Sequence, residues 1–447
     1  MNETRTMLYA SNLSALIQAE TVSSEHSHDK RKFYAFQDLL RERFARLFTV
    51  CEHEDFSGSM LLRWKGSDPS LAPILLMNHH DVVEAPGEWK YPPFSGTVAD
   101  GCVWGRGTLD TKGGLWAMLQ AADELASEGF IPSRDVYFLS TCCEETTGAG
   151  ADAISRVLRD RGLRFAFVLD EGGMILREPI DGANGTYAMI GVGEKGCVDL
   201  KFIARSAGGH AATPCKDSPL VRLGRFMAAA ERKKLFSVHL SPTVCAMLRE
   251  LSKSMTGAKR MILGHPRLFA PLICSVMPKL SDTAGAMLKT TLAFTMAQGS
   301  EGSNVLPREA WVMGNMRYSH HQGGKASIDA VAHLAKKYGV ETEIVSPGYD
   351  SELSDHQSEA FSLLEKAVDS VFPGVRTSPY VMTAASDCRY MRRVSDNCLR
   401  FTPFPISSEQ MDSIHGVDEC VDLSALEGAV DFYRYILTEA QNVKYGT

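Results

Sequence analysis

Short apolar runs alternate with longer amphipathic stretches through the first half of the chain, and polar residues close the apolar ones. The order is APILLMNHHDVV, TKGGLWAMLQAADELASEG, DVYFLSTCC, GADAISRVLRDRG and RFAFVLDEGG. Continuous apolar runs of strand length, separated by stretches of helical period, predict a mainly parallel sheet with helices on its faces, an α/β fold. In such sheets ligands collect at the carboxyl ends of the strands. His79 and Asp81 close the first run, Glu144 and Glu145 follow the second, and Asp170 ends the third.

After about Gly193 the pattern changes. GCVDLKFIARSAGGHAATP reads as a strand and a glycine-rich turn, SPLVRLGRFMAAAERKK as a helix, TLAFTMAQGS and EAWVMGNMRYSH as strands, and KASIDAVAHLAKKYG as a helix. This β-α-β-β-α-β order predicts a separate α+β domain at 195–349, inserted into a first domain made of 1–194 and 350–447. Residues 231–286 fit the order poorly and read as a partly helical elaboration. A chain of 447 residues is long enough for two cores.

Composition excludes some functions. A net charge of −7 argues against a nucleic-acid surface, which needs a concentrated basic face. No run approaches the ~20 apolar residues of a membrane span, and the N-terminal twenty or so positions lack the apolar core of a signal peptide. Eleven scattered cysteines without a Cys-x-x-Cys pair suggest reduced thiols and a cytoplasmic location.

Side chains two apart on a strand share a face, so His79 and Asp81 point together and His80 points away. Asp81 is then expected to hydrogen-bond the far ring nitrogen of His79, as carboxylates do behind metal-bound imidazoles. Asp110 lies in GRGTLDTKGG among Gly105, Gly107, Gly113 and Gly114, which allow tight turns before a helix. Glu144 and Glu145 directly follow a buried strand, where two carboxylates need a reason to be. His415 stands far along the chain in DSIHGVDEC. Singly, each residue fits a cap or a surface position. Together, two imidazoles and three carboxylates (His79, Asp110, Glu145, Asp170, His415) form a set that zinc accepts. His26, His28 and the His320–His321 pair read as solvated loop residues.

The motifs HHDVV, WKYPPFSG, GRGTLDTKGG, EETTGAG, VLDEGG, GGHAATP, SNVLP, SDCRY and IHGVDE occur in this order. In that order they resemble the co-catalytic dizinc peptidases and amidohydrolases: aminoacylase, carboxypeptidase S, glutamate carboxypeptidase and succinyl-diaminopimelate desuccinylase. PPFSG, GFIPSRD and VLDEGG make carboxypeptidase S and the N-acyl-amino-acid hydrolases most similar. The resemblance implies two Zn2+ per subunit, with Co2+ or Mn2+ as substitutes. His79 and Asp170 would hold one ion, Glu145 and His415 the other, and Asp110, followed by a cis peptide bond, would bridge both; the inserted 195–349 domain would serve the catalytic domain of 1–194 and 350–447 as a lid or dimerisation domain. The resemblance makes Glu144 the general base and Asp81 the carboxylate that orients His79. His210 would act across a homodimer interface, while Asn304 and Arg317 would contact substrate, Arg317 grasping a free carboxylate. Arg389 is a further substrate contact, less firmly implied because Thr383-Ala384-Ala385-Ser386 replaces the family's Gly-Gly-Thr.

The implied reaction is hydrolysis of an amide in a small substrate, by a carboxypeptidase or dipeptidase releasing a C-terminal amino acid. The alternative is an N-acyl-amino-acid amidohydrolase, including desuccinylase-like deacylation. A noncatalytic metal-binding scaffold is the remote alternative. The partners expected are thus a small peptide or N-acyl amino acid and a second subunit, with no nucleic acid and no membrane.

Overall fold

The computed structural model describes residues 3–24, 29–349 and 351–442. His26 and His28 lie outside these residues, as does position 350, where the second catalytic segment is expected to begin. A ten-stranded mixed sheet forms the larger layer, with strands in the order Cys51–Phe56, Ser59–Trp64, Val136–Thr141, Ile74–His79, Val168–Asp170, Cys398–Arg400, Thr186–Glu194, Ile175–Arg177 and Pro405–Ile406. Arg376–Met382 also pairs with Thr186–Glu194. The four central strands, Val136–Thr141 to Cys398–Arg400, run parallel, so His79 aligns with Thr141 and Asp170 with Arg400. Their carboxyl ends share one edge.

The sheet is buried on both faces, which is why its strands read as unbroken apolar runs. Ile74, Leu76, Val136 and Phe138 face one core with Trp116 and Leu119 of helix Lys112–Ser127 and with helix Leu423–Glu439. The alternate residues Leu75, Met77, Tyr137 and Leu139 face a second core with Ile154 and Leu158 of helix Ala149–Asp160. That period of two puts His79 in phase with Leu75 and Met77 and turns His80 to the other side. The His80 ring is buried, stacks on Phe36 at a 5.1 Å centroid distance and bonds Ser140 Oγ at 2.7 Å. Burial first, then the charges of Lys112 and His79, push its pKa down to about 3. It is a neutral core residue.

The N-terminal segment, which carries no clear pattern, forms helix Glu3–Gln18 and places Tyr9, Leu13, Leu16 and Ile17 in the main core. Strands Gly196–Arg205, Thr291–Gln298, Glu309–Tyr318 and Glu341–Tyr349 form a separate four-stranded antiparallel sheet. Helices Pro219–Arg232 and Gly324–Lys337 pack on it over a core containing Phe202, Phe226 and Leu334. The stretch expected to be partly helical is helical over most of its length: Pro242–Ser252, Gly257–Gly264, Ala270–Leu280 and Asp282–Leu288. Two of the prolines that disguise it, Pro242 and Pro271, occupy first-turn positions, where a missing N–H costs nothing. Ser241 caps the first of these helices by accepting the Val244 N–H. His320, expected to be solvated, is instead partly buried with its Nε2 atom enclosed.

Candidate metal centre

The parallel strands end at His79, Thr141 and Asp170, and the turns beyond them carry the polar groups inward. Asp110 arrives on a loop that Gly107 lets turn with φ 92°, where a Cβ would meet Val82 at 2.9 Å. Gly114 then lets the following helix approach the sheet, since a Cβ there would lie 2.4 Å from Asn78 Oδ1. The Asp110–Thr111 peptide is cis.

Asp110 offers one carboxylate oxygen to each imidazole. Oδ1 lies 3.0 Å from His79 Nε2, and Oδ2 lies 3.2 Å from His415 Nε2. Glu145 Oε2 approaches the same His415 nitrogen at 3.1 Å. His79, Asp110 and Glu145 converge closely enough to hold a metal ion between them. Asp170, 1% exposed, receives the backbone N–H of Cys388 at 2.8 Å and that of Glu171 at 2.9 Å. His415 is the most open member and takes φ 61°, a left-handed conformation uncommon outside glycine.

Asp81 is arranged differently from expectation. His79 Nδ1 bonds the Asp81 backbone oxygen at 2.9 Å, while the Asp81 carboxylate stands 3.6 Å away. The reason is that the strand ends at His79, so the chain folds back and its carbonyl reaches the ring first. The carboxylate instead accepts the backbone N–H groups of Glu144, at 3.1 Å, and Glu145, at 3.2 Å. Through them it fixes both glutamates.

Glu144 stands 3.6 Å from Arg389, whose guanidinium also lies over the Tyr349 and Tyr390 rings. Arg317 bonds Asn315 Oδ1 at 3.1 Å. Arg317 and Arg389 both act on Cys197 and Tyr349, countering the upward effect of burial on their pKa values. Arg389 thus covers Tyr349, and Arg317 lies near enough for its charge to act on it. His210 and Asn304 sit apart from this group. They are exposed and paired with each other's segments, with Ala211 N donating to Asn304 O at 2.9 Å.

The electrostatics suit a cation. Burial would lower the His79 pKa, but Asp110, Asp81 and Glu144 raise it well above its ordinary value. Hydrogen bonds to Asp110 and Glu145 carry His415 up to about 10. Burial, joined by Asp387 and Glu145, raises Glu144 well above the usual carboxylate range, against His79 and Arg389. Protons and divalent cations compete for the same lone pairs, so a cluster that draws protons this strongly is one a metal ion can neutralise. Glu145 Oε1 and Glu171 Oε2 are buried without a hydrogen-bond partner among the described residues, and such acceptors call for a ligand. Nitrogen and oxygen donors of this kind suit zinc.

Three supporting groups escaped the sequence reading. Glu419, fully buried, accepts Arg106 Nη1 at 2.6 Å and the backbone N–H groups of Gly107 (3.1 Å), Leu109 (2.8 Å) and Asp110 (3.1 Å). It ties the His415 loop to the Asp110 loop. Arg400 and Glu194, also buried, hold Ser386 and so the loop that presents Cys388 N–H to Asp170. The only signal for Glu419 was its place four residues beyond His415.

This mixed sheet, with imidazoles and carboxylates gathered at the ends of its parallel strands, defines a metal-dependent hydrolase of the zinc-peptidase fold. Residues 75–439 match the family described as Peptidase family M20/M25/M40, and the chain belongs to that family. It is 33% identical to human N-fatty-acyl-amino acid synthase/hydrolase PM20D1 over 89% of this chain and 77% of that one. It is 30% identical to the probable carboxypeptidase S-like 2 of Dictyostelium discoideum, over 94% and 82%. Among solved structures, the M20 metallo-carboxypeptidase Sso-CP2 of Sulfolobus solfataricus superposes with a TM-score of 0.72 at 15% identity, covering 99% of this chain and all of that one. Human carnosine dipeptidase 1 superposes with a TM-score of 0.68 at 14% identity, covering 99% and 97%.

The Glu419 arrangement is testable. Breaking a buried ion pair on one side costs about 3–5 kcal/mol, and loss of groups that orient metal ligands weakens binding about 10–100-fold. Glu419→Gln is expected to lower Tm and weaken zinc binding by that factor in a metal-buffer titration. Native affinity would show that the Asp110 loop keeps its shape without the carboxylate.

Proposed function

We propose that the chain hydrolyses the amide bond joining an acyl or peptidyl group to an amino acid whose carboxylate is free. The observation that carries this reading is the Arg389 guanidinium 3.6 Å from Glu144 and over the Tyr349 ring, with the charge of Arg317 also acting on that tyrosine. Planar guanidinium groups pair with carboxylates through two parallel hydrogen bonds. A substrate carboxylate held there leaves its amide near the metal-ligand cluster. Similarity to human PM20D1 favours N-acyl amino acids as the substrate class. Similarity to the carboxypeptidase S-like protein supports peptides as the second reading.

His79, Asp110 and Asp170 would hold one Zn2+, and Asp110, Glu145 and His415 a second, with Co2+ or Mn2+ as substitutes. When bound, such ions act as Lewis acids toward the scissile carbonyl and make water a competent nucleophile near neutral pH. Glu144 takes a proton from the attacking water as the new C–O bond forms, and gives it to the amide nitrogen as the C–N bond breaks. Asp81 keeps Glu144 and Glu145 in register by binding both peptide N–H groups.

His210 and Asn304 serve the site of a second subunit in this reading, which their exposure and their separation from the cluster support. Exposed Met296, Val305 and Ile344 on the smaller sheets give such a homodimer an apolar contact. Eleven free cysteines support a cytoplasmic location. Among the described residues no helix is long and apolar enough to cross a membrane.

Glu144→Gln is expected to retain the metal content of the wild type and lose about 10²–10⁴-fold in kcat on N-acyl amino acids and mixed dipeptides. Near-native turnover would remove Glu144 from the reaction. In the same panel, substrates with an amidated C-terminus should lose most of their kcat/KM, and equal cleavage of acid and amide would contradict the arginine assignment. Mixing His210→Ala and Arg317→Ala proteins, each inactive alone, should restore partial activity. A fully active monomer would contradict action in trans.

A further inference from the structure

Residues 232–289 carry ten Lys or Arg against two Asp or Glu, in a chain whose net charge is −7. Most of these basic side chains are exposed. Lys253 pairs with Glu250 and Lys259 with Asp181, but Arg260, Arg267 and Lys279 have no carboxylate partner among the described residues. Each is followed directly by a large apolar side chain open to solvent: Met261 at 54%, Leu268 at 75% and Leu280 at 76% exposure.

Helix Ala270–Leu280 shows why this is more than scattered surface apolarity. Its inward face, Ile273 and Met277, rests on a core with Leu248, Leu251 and Tyr187. Leu272, Val276 and Leu280, spaced by four and so on one side, point outward and are exposed. A helix that is apolar on both sides is normally covered on both. Helix Gly257–Gly264 packs Ile262 and Leu263 on the same core, leaving Arg260 and Met261 outside. The result is an apolar stripe on helix Ala270–Leu280, with Lys279 on the same helix and Arg260 and Arg267, also without a carboxylate partner among the described residues, in the segments just before it.

We propose that this face docks on an anionic phospholipid surface, with Leu272, Val276 and Leu280 entering the interface and Arg260, Arg267 and Lys279 meeting lipid phosphates. Amphipathic helices with basic borders bind in this way, lying in the plane of the interface. At 11 residues the helix is about 16 Å long, too short to cross a bilayer but suited to lying on one. Charge decides against a second copy of the chain as the occupant. A twofold interface would set this positive patch against itself, and like charges facing each other oppose association. The proposal concerns a surface remote in sequence from the metal ligands and stands apart from the choice of substrate.

The test is cosedimentation of the metal-loaded full chain with phosphatidylcholine vesicles, with and without phosphatidylserine. Binding should require phosphatidylserine and weaken as salt is raised. Arg260→Glu/Lys279→Glu and, separately, Leu272→Asp/Val276→Asp should each reduce it by about tenfold or more, whereas Lys366→Glu, an exposed lysine outside the segment, should not. Should the apolar pair of substitutions disturb folding, the charge pair, confined to exposed side chains, decides alone. Equal binding to neutral vesicles, or none to either, overturns the proposal. So does a wild-type oligomer, detected by light scattering, that the Leu272→Asp/Val276→Asp change converts to monomer, because a second copy would then cover the stripe.

Discussion

The Asp110 carboxylate, shared between the imidazoles of His79 and His415, is the contact on which the rest of the site depends. One histidine ends a central strand and the other lies more than three hundred positions later in a loop before the last helix. Only a carboxylate with two outward oxygens can meet both. The loop that presents it is held by buried Glu419, which satisfies Arg106 and the N–H groups of Gly107, Leu109 and Asp110. An unpaired charge at such a depth would cost several kcal/mol, so the Arg106–Glu419 pair and the Asp110 position stand or fall together. Asp81 plays the corresponding part for Glu144 and Glu145.

Carboxylates are crowded here beyond what the nearby cations balance. Arg106 and Arg400 are each committed to a glutamate, and Arg389 serves Glu144. The remaining negative charge draws protons onto His79 and His415, and burial raises Glu144 in the same direction. A divalent cation relieves the same excess, and the family to which the chain belongs consists of metal-dependent hydrolases. The fold supplies the depth and the charge; substrate choice depends on what surrounds them.

The parallel sheet was legible because both of its faces are buried, making runs such as ILLMNH and VYFLST stand out, and because the polar residues at their ends break the pattern abruptly. His79, Asp110, Glu145 and His415, named from motif and strand phase, come together in space. What stayed hidden has a common physical cause. Glu419, Arg400 and Glu194 act by holding backbone and one another, and a buried ion pair between distant positions leaves no local period to read. Helix Glu3–Gln18 joins the core through an apolar side too diluted by polar residues to be recognised. The helices at 242–288 were obscured by prolines, two of which, Pro242 and Pro271, stand in the first turns of helices. Their outward apolar side chains, which a sequence pattern assigns to a core, are exposed. That departure is what marks them as a contact surface.

In the reading we propose, Asp110 joins two metal sites into one centre. Anomalous diffraction from crystals of the zinc-loaded protein tests it directly. Two zinc ions per chain are expected, one beside His79 and one beside His415, with both touching Asp110. A single ion, or ions that do not touch Asp110, would contradict it.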